Sequence, residues 1–219
     1  MIQLHKSGVV VDSQDVERLN VEFQEKYCVL LPKLLEPALL DVLLSRLEQG
    51  EWCEKVHEGI GTEVILDDLL AVNVLHFVAN SPSFLDAVRN ITECAQITWF
   101  GGRVYRFVPN SGHYDSWHND AIDDRLVGMS LNLSPKSYKG GLFQLKERSS
   151  DRMLTEVANT GWGDAILFRI SERLLHQVTE VEGVEPKTAF AGWFQSGQQN
   201  FRDLLRENLS RCEREQVVS

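Results

Sequence analysis

His118 and Asp120 stand two residues apart in Tyr114-Asp115-Ser116-Trp117-His118-Asn119-Asp120, and a second imidazole, His176, follows inside Leu174-Leu175-His176-Gln177-Val178-Thr179. Two imidazoles and one carboxylate are the donor set of the facial triad, which binds Fe(II) and leaves coordination positions open for chemistry. A His-x-Asp pair alone carries little weight, because six histidines among 32 acidic residues give roughly one His-x-Asp/Glu match by chance. The surroundings have to decide. If residues 117 to 120 are extended, the period of two puts His118 and Asp120 on one face, able to grip one ion.

The elements that must hold these residues read as β structure. Ile97 to Val108 is rich in β-branched and aromatic residues and leads towards the pair as one or two strands. Gly161-Trp162-Gly163-Asp164 is a turn signal, Ala165 to Ile170 a strand-like run, and Leu174 to Val181 another. Each candidate ligand therefore lies near the end of a β segment. Most strand-like sequence falls between residues 97 and 195 as short runs broken by Gly, Pro, Asn and Ser, the pattern of an antiparallel sandwich or jelly roll. Before it, Tyr27 to Leu34 reads as a short strand, and Glu36-Pro37 opens a helix with Leu39, Leu40, Leu43, Leu44 and Leu47 at helical spacing. Two more helices are expected about Asp67 to Val78 and Ser81 to Thr92, the second with Ser81 as N-cap and Pro82 at its first position. Gln198 to Gln216 can form an amphipathic helix, with Phe201, Leu204, Leu205 and Leu209 on one side. That helix can cap the core or pair two subunits into a homodimer.

At this point the chain resembles the Fe(II)/2-oxoglutarate-dependent oxygenases, and within them the prolyl 4-hydroxylase-like branch. The matching pieces come in the family's order: Tyr114 to Asp120, the strand Met129 to Leu133, and a Gly140-Gly141 pair opening Leu142 to Leu145. Ala165 to Arg169 follows, then His176 to Val181, then a basic residue, Lys187, ahead of a hydrophobic strand to Trp193-Phe194. The resemblance covers roughly residues 97 to 195. It implies an α+β protein whose core is a double-stranded β-helix (a jelly-roll, cupin-like barrel), with N-terminal helices packed on one sheet and a C-terminal helix. The expected division is helical support over 1–96, the catalytic core over 97–195 and the last helix over 196–219, all in one domain.

For the site, the resemblance implies that His118, Asp120 and His176 bind Fe(II), with 2-oxoglutarate and O2 as cosubstrates. Lys187 pairs with the distal carboxylate of 2-oxoglutarate, and Thr188 adds a hydrogen bond. Related enzymes often place a cosubstrate-binding tyrosine where this chain has Met129 and Ser130, so Tyr105 or Tyr114 takes that part. A second departure precedes the lysine: the commoner Pro-Val and glycine are replaced by Glu180-Val181-Glu182-Gly183-Val184-Glu185-Pro186-Lys187, a spacing that accommodates a one-residue bulge. The implied reaction is hydroxylation of an unactivated C–H bond of an amino acid, peptide or small metabolite, releasing succinate and CO2. In related halogenases a small residue replaces the carboxylate, so Asp120 favours hydroxylation. Competing readings are a non-catalytic metal-binding jelly roll and a cupin-like enzyme independent of 2-oxoglutarate; neither needs Lys187.

Composition narrows the setting. A chain of 219 residues, 43% hydrophobic, can bury one substantial core. The formal charge of −10 opposes nucleic-acid binding, which needs clustered Lys and Arg. No apolar run approaches a membrane span, so a cytoplasmic protein acting on a small molecule or peptide is expected. Cys28, Cys53, Cys94 and Cys212 form no Cys-x-x-Cys and suggest neither zinc nor a disulfide framework. Dinucleotide loop, phosphate loop, His-Glu-x-x-His and EF-hand patterns are all missing. His113 reads as a loop residue or one that supports the metal ligands from behind, His57 as part of a solvated helix face or loop, and His5 as terminal. Lys136, Lys139, Lys146, Arg148 and Arg152 between 134 and 152 read as a solvated face, with a weaker suggestion of an anionic substrate.

Overall fold

The computed structural model describes residues 1–122 and 124–197. The chain opens with a hairpin, β1 (Ile2–His5) and β2 (Gly8–Val11), followed by helix α1 (Ser13–Lys26) and β3 (Cys28–Leu31). Next come α2 (Pro37–Gln49), the hairpin β4 (Glu51–His57) and β5 (Gly61–Asp67), then α3 (Leu69–Ala79) and α4 (Pro82–Thr92). The remaining strands are β6 (Trp99–Phe107), β7 (Tyr114–His118), β8 (Arg125–Asn132), β9 (Lys139–Gly140) and β10 (Phe143–Glu147). They continue as β11 (Met153–Val157), β12 (Ala165–Arg169), β13 (Leu174–Val178), β14 (Val181–Glu182) and β15 (Lys187–Gln195).

The main sheet runs β11-β10-β13-β7-β5-β6-β15-β8-β12-β3, with β4 added beside β5, and it curls into a nearly closed jelly-roll barrel. Its inner and outer faces follow from the strand period of two. On β6, Phe100 and Val104 join the core shared with the helices, whereas Tyr105 and Phe107 join the barrel interior; on β12, Leu167 and Phe168 divide the same way. β6 and β15 pair along their whole lengths, with Gly102 opposite Gly192. A Cβ on Gly192 would collide with the backbone of Gly101 and Gly102, so glycine is what allows the strands to approach here.

Expected and observed elements agree for β3, α2, α3 and α4 to within a few residues. Residues 1–96 also hold β1, β2, α1 and the β4–β5 hairpin, which the sequence reading did not anticipate. α1 has a helical signal, because Val16, Leu19 and Phe23 are its buried side and Asp12 caps it by accepting from the Gln14 N–H at 2.9 Å. The expected C-terminal helix at 198–216 lies outside the described residues. Among the described residues, no helix is long and apolar enough to cross a membrane.

α3 shows how the helical layer fixes the sheet. It is apolar except for Asn73 and His76, and its C-cap Asn80 follows His76 at i, i+4 on the same side. Asn80 accepts from the Phe100 N–H (2.7 Å) and donates to the Phe100 carbonyl (2.9 Å), while His76 Nε2 accepts from the Gly102 N–H (3.1 Å). Two helix side chains thus complete hydrogen bonds that β6 does not make with β5, whose pairing covers only Tyr105 and Arg106.

Burial pushes the pKa of His76 down to about 4. The folded state therefore resists a proton that the unfolded chain takes up near pH 6.5, so stability falls as pH drops from 6.5 and the loss is complete below 4. The difference in pKa amounts to roughly 3 kcal/mol. His76→Gln should flatten that part of the stability-pH curve in urea titrations; an unchanged slope between pH 6.5 and 4 would show that His76 does not cause it.

Candidate active site

A cavity of about 710 Å3 is lined by β4, β5, β6, β7, β8, β10, β12, β13 and β15. Three of its side chains, His118, Asp120 and His176, bring one nitrogen or oxygen each to within 4.8 Å of one another. The register explains the convergence: β7 and β13 are antiparallel neighbours, and His118 is directly opposite His176. Their rings are 4.2 Å apart between centroids, and Phe168 packs on His176 at 4.8 Å. Asp120 lies just past β7, with Oδ2 3.3 Å from His176 Nε2 and Oδ1 3.7 Å from His118 Nε2.

The surrounding groups orient these three. His118 Nδ1 lies 2.6 Å from the Ser116 carbonyl; an N–H donated there keeps Nε2 on the Asp120 side, where it carries a proton to the carboxylate in the metal-free protein and would give its lone pair to a metal once that proton is lost. Trp193 Nε1 donates to Asp120 Oδ2 at 2.7 Å, and Arg125 Nη1 reaches Oδ1 at 3.3 Å while its guanidinium stacks 3.5 Å over the Trp193 ring. Burial works against the Asp120 carboxylate, but hydrogen bonds from His118, His176 and Trp193 outweigh it and hold its pKa well below the usual range. Burial likewise opposes charging His118, yet Asp120 and Asp115 push its pKa up to about 9. An ionised carboxylate that draws positive charge onto an adjacent imidazole suits a divalent cation, and two nitrogens with one oxygen suit iron.

Lys187 begins β15 and is only 6% exposed, on the cavity side of the strand. Its Nζ donates to the Gly141 carbonyl at 2.8 Å and lies 5.9 Å from the Tyr138 ring centroid. Gly141 has φ +58°, and an added Cβ would meet Lys187 Cδ and Tyr138 at 3.1 Å, so the glycine leaves the lysine its space. Burial pushes the pKa of Lys187 down to about 8, only partly opposed by Asp115.

The other expected cosubstrate contacts separate. Tyr105 is buried in the cavity wall, where burial holds its phenol neutral and raises its pKa, and Tyr114 stands at the exposed rim. Thr188 is on the opposite face of β15 from Lys187: its hydroxyl accepts from Arg106 Nε at 3.0 Å, and it lines a separate depression on the helix side. The period of two sends adjacent residues apart, so the expected hydrogen bond from Thr188 is not supported by its position. His57, read as a solvated helix or loop residue, is instead on β4, lining the cavity and 2.8 Å from Glu63. Tyr138, Arg103, Arg125 and Trp193 are the site residues that sequence reasoning missed. Trp193 carried a usable signal: it is six residues beyond Lys187 in the same strand and shares its face.

A family profile described as the 2OG-Fe(II) oxygenase superfamily matches residues 102–195. Among solved structures, a Pseudomonas putida prolyl-4-hydroxylase is 16% identical, with a TM-score of 0.63, covering 84% of this chain and 100% of its own. An oxidoreductase of the 2OG-Fe(II) oxygenase family from Burkholderia pseudomallei is 15% identical (TM-score 0.62; 92% and 99% covered). The non-heme alpha ketoglutarate dependent epimerase SnoN from nogalamycin biosynthesis is 14% identical (TM-score 0.61; 83% and 82% covered). These likenesses are of fold. No curated protein matches the sequence.

Proposed function

We propose that this chain, whose residues 102–195 match the 2OG-Fe(II) oxygenase superfamily, hydroxylates an unactivated C–H bond of an amino acid, peptide or small metabolite. The observation that carries this reading is the meeting of His118, Asp120 and His176 in a cavity that also contains the buried ammonium of Lys187. When bound, Fe(II) would activate O2, the oxidant, and 2-oxoglutarate would supply two of the four electrons O2 takes up by decarboxylating to succinate and CO2, the substrate C–H bond supplying the other two.

His118, Asp120 and His176 are the residues that would hold the metal. Trp193 and Arg125 fix the plane of the Asp120 carboxylate, and the Ser116 carbonyl fixes the tautomer of His118. Lys187 offers its charge to the distal carboxylate of 2-oxoglutarate, exchanging a neutral carbonyl partner for an ionic one. Tyr138, beside it and with its pKa pushed up to about 12 by burial, stays a neutral donor. Asp120 in the ligand set leaves no room for a halide at that position, which is why hydroxylation is the outcome assigned.

An anaerobic Fe(II) titration with and without 2-oxoglutarate tests the reading, by the weak visible charge-transfer band of the keto acid chelated to the metal. The band should appear only with both components, and Lys187→Ala should shift its half-saturation to higher 2-oxoglutarate. Metal binding without a band would leave a cupin-like or sensory protein, and no metal binding would end the proposal.

A further inference from the structure

The geometry points to Arg103 as an anion-binding residue of the substrate pocket, which makes the substrate a molecule carrying a carboxylate or comparable anionic group. This rests on the oxygenase reading of the cavity and adds the class of substrate.

Arg103 is in the middle of β6 on the same face as Tyr105 and Phe107, and lines the cavity. Its Nε donates to Glu63, which is 3% exposed and is also shared with His57 Nε2. That contact fixes the guanidinium plane. Its terminal amines make no hydrogen bond to any described residue, and the side chain keeps 32% of its exposure, directed into the cavity it lines. A guanidinium has five N–H donors in a rigid fork suited to a carboxylate, and Nε uses one of them. The pocket favours an anion more broadly. Lys55, Arg103, Arg125 and Lys187 face it against Glu63, Asp115 and Asp120, in a chain whose formal charge is −10. A divalent metal and doubly charged 2-oxoglutarate cancel each other and leave that surplus in place.

Position separates this residue from the cosubstrate. Arg103 pairs with Ala191, and Phe107 with Lys187, so four strand residues, about 13 Å, lie between the two cations along the sheet. A five-carbon diacid spans about half of that, so 2-oxoglutarate held by Lys187 leaves Arg103 unused. Arg103 instead lies 5.9 Å from the Trp193 ring, whose Nε1 bonds Asp120. An anion on Arg103 is therefore one indole away from the triad, a distance suited to a small acid presenting its reacting carbon to the metal side. A 710 Å3 cavity is within the usual range for a bound small molecule and holds both reactants.

The test uses the full chain with Mn(II) and 2-oxoglutarate, anaerobically, and matched probes: propionate and propionamide, 3-phenylpropionate and its amide, N-acetylglycine and its amide. Binding is read by tryptophan fluorescence. At least one acid should bind about tenfold or more tighter than its amide, and Arg103→Lys should lose most of that preference, because lysine keeps a charge for Glu63 but not the fork. The double variant Glu63→Gln, Arg103→Met removes the buried charge with its partner and should lose the preference entirely. Equal binding of acid and amide in every pair, or a preference that survives in both variants, overturns the assignment. In parallel, the Fe(II)–2-oxoglutarate band is recorded with each acid present. If the band forms and persists but no acid preference exists, only this inference fails; if the band never forms, the oxygenase reading fails with it. Loss of the band on adding acid also overturns the assignment, because the acid then occupies the metal or Lys187.

Discussion

Asp120→Ala should reduce succinate formation and substrate oxidation to background, and should abolish stable Fe(II) binding. Asp120 is the only anionic member of the cluster formed with His118 and His176. Its carboxylate stays ionised despite burial because His118, His176 and Trp193 all hydrogen-bond to it. Alanine leaves two neutral imidazoles and no charge to offset the cost of dehydrating a cation. Trp193→Phe is the informative companion. It keeps the ring under Arg125 but removes the 2.7 Å N–H donated to Asp120 Oδ2, so metal affinity should fall about 10–100-fold, as expected for a lost outer partner, while binding is retained. Metal content after gel filtration and succinate by mass spectrometry distinguish the two. Full activity in Asp120→Ala would remove it from the ligand set, and full metal affinity in Trp193→Phe would reduce Trp193 to a wall of the pocket.

The triad was legible in the sequence because its parts report locally. His118 and Asp120 are two residues apart, and His176 is in an alternating strand whose burial pattern is what such a strand should show. What the sequence does not display is which strand pairs with which. The opposition of His118 and His176 depends on β7 and β13 being neighbours, although β8 to β12 intervene in the chain. The His57, Glu63 and Arg103 cluster was hidden for the same reason. Its members come from β4, β5 and β6, and a polar stretch such as Glu54 to Glu63 reads as solvent-facing until a sheet is known to receive it. α1 was missed differently, since three buried apolar residues among charged neighbours give a weak stripe. Thr188 shows the opposite case, in which a local rule was sufficient: once Lys187 is assigned to the cavity face of a strand, its neighbour belongs to the other face.

Lys187→Met should have two effects of opposite sign, a weaker grip on 2-oxoglutarate and a more stable apoprotein. Burial lowers the pKa of this lysine from its ordinary 10.5 to about 8. Because the folded state disfavours the ammonium, the cost is absent above pH 10.5, grows as pH falls to 8 and is constant below that. At pH 7 it amounts to roughly 3 kcal/mol, which methionine recovers apart from about 1 kcal/mol for the hydrogen bond to the Gly141 carbonyl. In the cosubstrate complex the sign reverses. A buried carboxylate left without its cation costs about 3–5 kcal/mol, so half-saturation by 2-oxoglutarate should rise at least ~100-fold. Urea denaturation of the apoprotein at pH 7 and pH 10 measures the first effect, and the charge-transfer titration the second. A stabilised apoprotein with unchanged 2-oxoglutarate affinity would mean that Lys187 is a buried charge the cosubstrate never meets. A destabilised apoprotein with weak binding would make it a structural residue whose loss disturbs the cavity. Only the two effects together identify a cation kept in an unfavourable place because its partner is the cosubstrate.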